Sequence, residues 1–130
     1  MDRDAWRNNH LERSYAHRSA GHEVFVLDAD SGATLARMDT DQVPISLAFD
    51  AAAQRLYVTN RGGVRVEQGQ GSLTVYDTRA YRRLQTLPLP PHPNSLALDP
   101  ATGAVYVSIK NGRDDPAGSA ESVARISFFD

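Results

Sequence analysis

The 130-residue chain contains no cysteine, so a disulfide framework, a thiolate nucleophile and a cysteine-based zinc or iron–sulfur centre are all excluded. Charge of one sign is also lacking. Fourteen Lys and Arg against sixteen Asp and Glu leave a formal net charge of -2, which gives no global attraction to nucleic acid or acidic membranes. No stretch approaches 18 consecutive apolar residues, and the polar segment from Met1 to Ala20 has no apolar core of the kind a secretory signal needs. As written, the chain is expected to stay in the cytoplasm. Ser-His-acid order, a glycine-rich phosphate loop and a clear carboxylate pair are missing as well, so neither an enzyme nor a cofactor is expected from the residues. With 41% hydrophobic and 23% charged residues, the composition is that of an ordinary folded domain.

The chain does contain a repeat. Displaced by 49 residues, Ser46-Leu47-Ala48-Phe49-Asp50 falls on Ser95-Leu96-Ala97-Leu98-Asp99, and Leu56-Tyr57-Val58-Thr59 on Val105-Tyr106-Val107-Ser108. The same displacement places Val24-Phe25-Val26-Leu27-Asp28 over Leu73-Thr74-Val75-Tyr76-Asp77, Leu35 over Leu84 and Met38 over Leu87. Each patch is rich in Val, Leu, Tyr, Phe and Thr and is bounded by turn residues, so each predicts a short strand. The complete unit carries four, a to d, at about 45–49, 55–59, 72–77 and 82–87. Asp28-Ala29-Asp30-Ser31-Gly32 and Asp99-Pro100-Ala101-Thr102-Gly103 read as turns, because Asp bonds its own backbone and Gly tolerates positive φ. A calcium loop at Asp28 is the weaker reading: the matching Asp77-Thr78-Arg79-Ala80-Tyr81 lacks the ligands and no bidentate Glu follows.

In strand a, Ile45, Leu47 and Phe49 alternate with Ser46 and Ala48, and Leu96 and Leu98 alternate with Ser95 and Ala97. One bulky face and one small face suit sheets stacked face on face around an axis. The expected fold is therefore all-β, a partial β-propeller of four-stranded antiparallel blades, with an ordinary β-sandwich as the alternative. Residues 1–21 form a polar N-terminal segment, flexible or a short helix. Residues 22–130 are the propeller domain: a half blade (22–40, strands c and d), a complete blade (41–89) and a blade lacking its outer strand (90–130).

The stretch Arg55-Leu56-Tyr57-Val58-Thr59-Asn60 resembles the signature of the YVTN family of β-propeller repeats. Gly71-Ser72-Leu73-Thr74-Val75-Tyr76-Asp77-Thr78 is similar to the strand that follows it in that family, and Pro91-His92-Pro93-Asn94-Ser95-Leu96-Ala97-Leu98 resembles the opening of the next blade. The resemblance runs from about His22 to Phe129. It implies a seven-bladed, periplasmic bacterial protein without an established catalytic centre, of which this chain would be the C-terminal part. Uncovered blades would then invite a homo-oligomer that completes a ring, or a poorly stable fragment.

Propeller connectivity places the b-to-c and d-to-a loops on one face. The b-to-c loops, Asn60 to Gln70 and Lys110 to Ala120, are long and rich in glycine and charge, so recognition of a ligand or protein partner is expected there. Arg61, Arg65, Lys110 and Arg113 could rim that face for a phosphate, a carboxylate or single-stranded nucleic acid. Glu67, Asp114 and Asp115 in the same loops would partly neutralise them, and solvated loop charge is the simpler reading. His92 and Asn94, with Asn60, are the candidates for the channel mouth, against a turn role in Pro-His-Pro-Asn. His10, His17 and His22 lack a helical metal spacing. Trp6, Leu11 and Tyr15 could form a weak helical stripe packing on a blade. Ser46 and Ser95 occupy equivalent small positions of strand a.

The leading expectation is a non-catalytic binding or scaffolding module. An oxidoreductase- or lactonase-like propeller enzyme completed by further blades, a polyanion binder and an inactive truncated chain are the alternatives.

Overall fold

The computed structural model describes residues 11–13, 23–62, 70–112 and 115–128, the first three through their backbone only. Ten strands run in chain order: β1 (Leu11–Arg13), β2 (Glu23–Leu27), β3 (Thr34–Asp39), β4 (Pro44–Asp50), β5 (Arg55–Asn60), β6 (Gly71–Asp77), β7 (Arg82–Leu89), β8 (Pro93–Leu98), β9 (Val105–Ile109) and β10 (Ser122–Ile126). They form three antiparallel meanders, β1-β2-β3, β4-β5-β6-β7 and β8-β9-β10. The middle sheet is the complete blade and its strands match a, b, c and d. In the third, β8, β9 and β10 are a, b and c.

The first sheet differs from the sequence expectation. Leu11–Arg13 pairs with β2 in the place of strand b, where a flexible tail or short helix was expected. The three-residue strand has a single apolar residue, Leu11, which the sequence placed in a helical stripe, and lies outside the repeat, so no alternation marks it; pairing is nevertheless required of β2, whose backbone groups would otherwise lie open on that side. The arrangement is thus bcd, abcd, abc. Trp6, His10, Tyr15, His17 and His22 lie outside the described residues.

Alternation along the strands gives the middle blade two apolar faces, and both are covered. Leu56, Val58 and Tyr76 pack against Val24, Val26 and Met38 of the first blade, with Leu47 and Phe49 beside them. Tyr57, Leu73, Val75 and Leu89, pointing the other way, pack against Val105, Val107 and Ile109 of the third. Successive residues of β5 therefore serve different seams. Each fully buried aliphatic side chain contributes roughly 1.5–3 kcal/mol, which makes these two seams the main source of stability. Gly71 permits the closest approach at the second seam: a Cβ there would sit 2.2 Å from Pro93 Cδ and 2.8 Å from the Pro90 carbonyl oxygen.

The repeat extends to backbone conformation. Positive φ occurs at Val43 (55°) and His92 (68°), at Gln54 (55°) and Gly103 (75°), and at Gly32 (74°) and Tyr81 (53°), each pair 49 residues apart. Three turns keep a left-handed residue whether or not glycine occupies it. The Asp-rich turns close as expected: Asp28 Oδ1 accepts from the Asp30 and Ser31 amides at 2.8 and 3.1 Å, and Asp77 and Asp99 accept likewise from Arg79 and Ala101. At Asp28 the carboxylate thus serves the turn.

Among the described residues, no helix is long and apolar enough to cross a membrane.

Candidate functional site: the b-to-c loop face

The d-to-a and b-to-c connections are joined by backbone hydrogen bonds, which puts them on one face. The Arg61 amide donates to the Val43 carbonyl at 2.8 Å, and 49 residues later the Lys110 amide donates to the His92 carbonyl at 2.9 Å. Left-handed conformation at Val43 and His92 aims those carbonyls at the loop. Both inner strands then bulge, between Pro44 and Ser46 and between Pro93 and Leu96. Ser46 follows the first bulge and Ser95 lies within the second, and they share hydrogen bonds with the Thr59 and Ser108 hydroxyls, the latter at 2.7 Å. Cross-strand hydroxyl pairing accounts for both serines.

His92 is the centre of one cleft. It is buried, and its Nδ1 has no hydrogen-bond partner among the described residues. The imidazole lies against Gly112, where a Cβ would fall 2.2 Å from Nε2. Beside it opens a cleft of about 190 Å³, lined by Pro90, Pro91, Asn111, Asp115 and Ser122 among others. The wall is built by a ladder of local bonds. Glu121 Oε2 accepts from the Asn111 amide at 2.9 Å and Oε1 from Lys110 Nζ at 3.4 Å, Asn111 Nδ2 donates to the Ser119 carbonyl at 2.6 Å, and Asp115 Oδ2 accepts from the Gly112 amide at 2.6 Å. The Asn111 amide, with Lys110 beside it, holds the Glu121 carboxyl below its ordinary range.

Asn60 belongs to a second polar cluster, at the seam of the first two blades. Its Nδ2 donates to Ser72 Oγ at 3.1 Å and Thr74 Oγ1 at 3.0 Å, while its buried Oδ1 has no partner among the described residues. Ser72 donates onward to Asp41 Oδ2 at 2.7 Å, and Asp41 pairs with Arg83 at 3.3 Å. Arg83 and the Tyr76 hydroxyl both donate to the Asp39 carbonyl, at 2.8 and 2.5 Å. Burial pushes the Tyr76 hydroxyl up to about 12, against the lowering pull of Arg83.

The residues singled out in the sequence are therefore divided between two places. His92 and Lys110 line one cleft, and Asn60 is locked into the other cluster. Lys110 is not a free rim cation, because Glu121 engages it. Arg61 is exposed, as is Asn94 within the β8 bulge. Arg65 and Arg113 lie outside the described residues. Sequence reasoning missed Glu121, Asn111 and Pro90; Glu121 stands one residue beyond the expected loop, and only its two bonds to Lys110 and Asn111 mark it.

No family model matches the chain. It is similar to the uncharacterized protein YncE of Salmonella typhimurium, with 33% identity over 120 residues, and to that of Salmonella typhi, with 32%. Each match covers 89% of this chain and 31% of the relative, so the chain spans about a third of their length. Among solved structures it resembles hydrazine synthase of Kuenenia stuttgartiensis with a TM-score of 0.65 and 17% identity, over 82% of this chain and 28% of that one. That likeness is one of fold alone. The chain is YncE-like over most of its length and is a partial all-β propeller.

Proposed function

We propose that the chain is a non-catalytic binding module whose recognition surface is the b-to-c loop face, centred on the His92 cleft. One observation carries this reading: a buried imidazole nitrogen without a partner among the described residues, beside a cleft whose wall is tied by local bonds. An unpaired buried polar group costs about 1–3 kcal/mol, a cost that an incoming hydrogen-bonding group would relieve. The rigid blades below, and the loop bonds through Glu121 and Asp115, support recognition without rearrangement. Likeness to YncE is compatible with this and assigns no ligand.

A thermal-shift screen of sugars, carboxylates, nucleotides and short peptides tests the proposal. At least one class should raise Tm of the unaltered chain and fail to do so for Gly112→Ala, whose methyl would collide with the imidazole. His92→Asn should lose the effect too, since Asn tolerates positive φ while removing the ring. If no class shifts Tm, or if the shift survives both substitutions, the site is not there.

A further inference from the structure

A cleft of about 500 Å³ opens at the outer rim of the seam between the first two blades, lined by Arg37, Met38, Asp39, Tyr76, Tyr81 and Arg83. Its walls are β3 on one side and β6, β7 and their turn on the other, so both blades that frame it are described out to their outermost strands. The turn departs from the repeat here. Tyr81 holds a left-handed φ of 53° at the position where the first blade has Gly32, 49 residues earlier. For a bulky residue that conformation is a genuine outlier, and such strain clusters at ligand sites. The Tyr81 ring packs on the cluster that holds Met38 and Tyr76, and its hydroxyl has no hydrogen bond to another described residue.

Strand geometry decides which groups face the cleft. The Asp39 carbonyl points out of the first blade, because it accepts from the Tyr76 hydroxyl and from Arg83 Nη2. Backbone groups alternate in direction along an antiparallel strand, so the amide and carbonyl of Arg37 open on the same side. Side chains alternate too. Met38 faces the middle blade, while Arg37 lies on the opposite face with its guanidinium 5.2 Å from the centroid of the Phe25 ring. The same alternation turns the Asp39 carboxylate away. Arg83 is therefore the charged head group that the lining residues present to the cleft. A guanidinium carries five N–H donors. Asp41 Oδ1, Thr86 Oγ1 and the Asp39 carbonyl take three, which leaves Nε and one hydrogen of Nη2.

We propose that this rim cleft binds a carboxylate attached to an apolar body, the chemistry of an N-acyl amino acid or of the C-terminal residue of a peptide. The carboxylate takes the remaining donors of Arg83, and the neighbouring amide of the ligand pairs with the open backbone of Arg37 as a short addition to the sheet. The apolar side chain lies against Tyr81 and Met38, a wall that glycine at the Tyr81 position would not supply. Charge favours a monoanion over a phosphate, because Asp41, 3.3 Å from Arg83, already offsets part of the guanidinium charge.

Calorimetric titration of the full chain with N-acetyl-phenylalanine, with a tetrapeptide ending in Phe, and with the C-terminal amide of each is the test. Both acids should bind, and each amide should be weaker by about tenfold or more. A tighter tetrapeptide acid identifies the peptide terminus as the source, and equal affinity identifies the single residue. Arg83→Gln should remove the preference for acid over amide. Tyr81→Gly relaxes the strained turn, so it should stay folded and yet bind both acids more weakly by about fivefold or more. Should Arg83→Gln fail to fold, Tyr81→Gly carries the test. Arg79→Gln, exposed in the same turn, should bind as the parent does. Equal binding of acid and amide overturns the proposal. So does acid binding that survives Arg83→Gln or Tyr81→Gly, a loss of equal size in Arg79→Gln, or no binding of either acid at millimolar concentration.

Discussion

At the scale of single residues, the seam between the first two blades depends on a hydroxyl that must stay protonated. Tyr76 is fully buried and donates to the Asp39 carbonyl. A hydroxyl raised from 10.0 to about 12 on folding is a neutral group favoured by the native state. Its contribution is present below pH 10 and is lost as pH rises through 12, because the unfolded chain then ionises first. Denaturant melts between about pH 9 and 12 should therefore show stability falling by on the order of 2–3 kcal/mol from this group. In Tyr76→Phe that part of the decline should vanish, leaving the variant less stable near neutrality by about 1 kcal/mol for the missing hydrogen bond. An unchanged alkaline slope in the variant would show that Tyr76 is not the group responsible.

At the scale of elements, the strands were legible because alternation and turn chemistry agree with each other in every unit. The repeat located β2 through β9 to within about two residues, and the Asp-led turns did what Asp does. The rest was not legible for definite reasons. Leu11–Arg13 is held by β2 rather than by any preference of its own. In the last blade, β10 is displaced by one residue from the 49-residue frame, since Ile109 faces Ser122 whereas Asn60 faces Ser72. A longer loop absorbed the extra residue. Of the site, His92 and the loop face could be named from the Pro-His-Pro-Asn turn, but the pairing of Lys110 with Glu121 depends on how the loop returns. Packing between elements can be tested at Gly71, where β6 meets the entry to β8. Gly71→Ala has no room, and two of the three obstructing atoms belong to the Pro93 ring and the third to backbone. Its chemical melt should lose about 1–3 kcal/mol relative to the parent, the usual cost of overpacking. Gly103→Ala is the contrast, strained by its φ of 75° but without a neighbour within 4 Å; its loss should come near about 1 kcal/mol.

At the scale of the whole molecule, stacking order decides what one repeat position is worth. Tyr57 and Tyr106 stand 49 residues apart at the same place in strand b. Both point away from the preceding blade. Tyr57 meets a following blade: it is 1% exposed, its ring lies 5.3 Å from that of Phe128, and it belongs to the cluster with Val105 and Val107. Tyr106 has no such cover among the described residues and is 36% exposed, with Arg125 bonded to its hydroxyl. Removing a buried aromatic ring costs about 3–5 kcal/mol, and removing a surface one usually less than about 1. Tyr57→Ala should accordingly unfold the chain or lower its stability severalfold more than Tyr106→Ala. The comparison holds residue type, strand and neighbours in sequence nearly constant, so the difference reports the presence of the next blade. If a longer polypeptide or a stacked partner covers the third blade, Tyr106→Ala should cost as much as Tyr57→Ala in that assembly. Equal and small losses at both positions would mean that the blades do not stack as described.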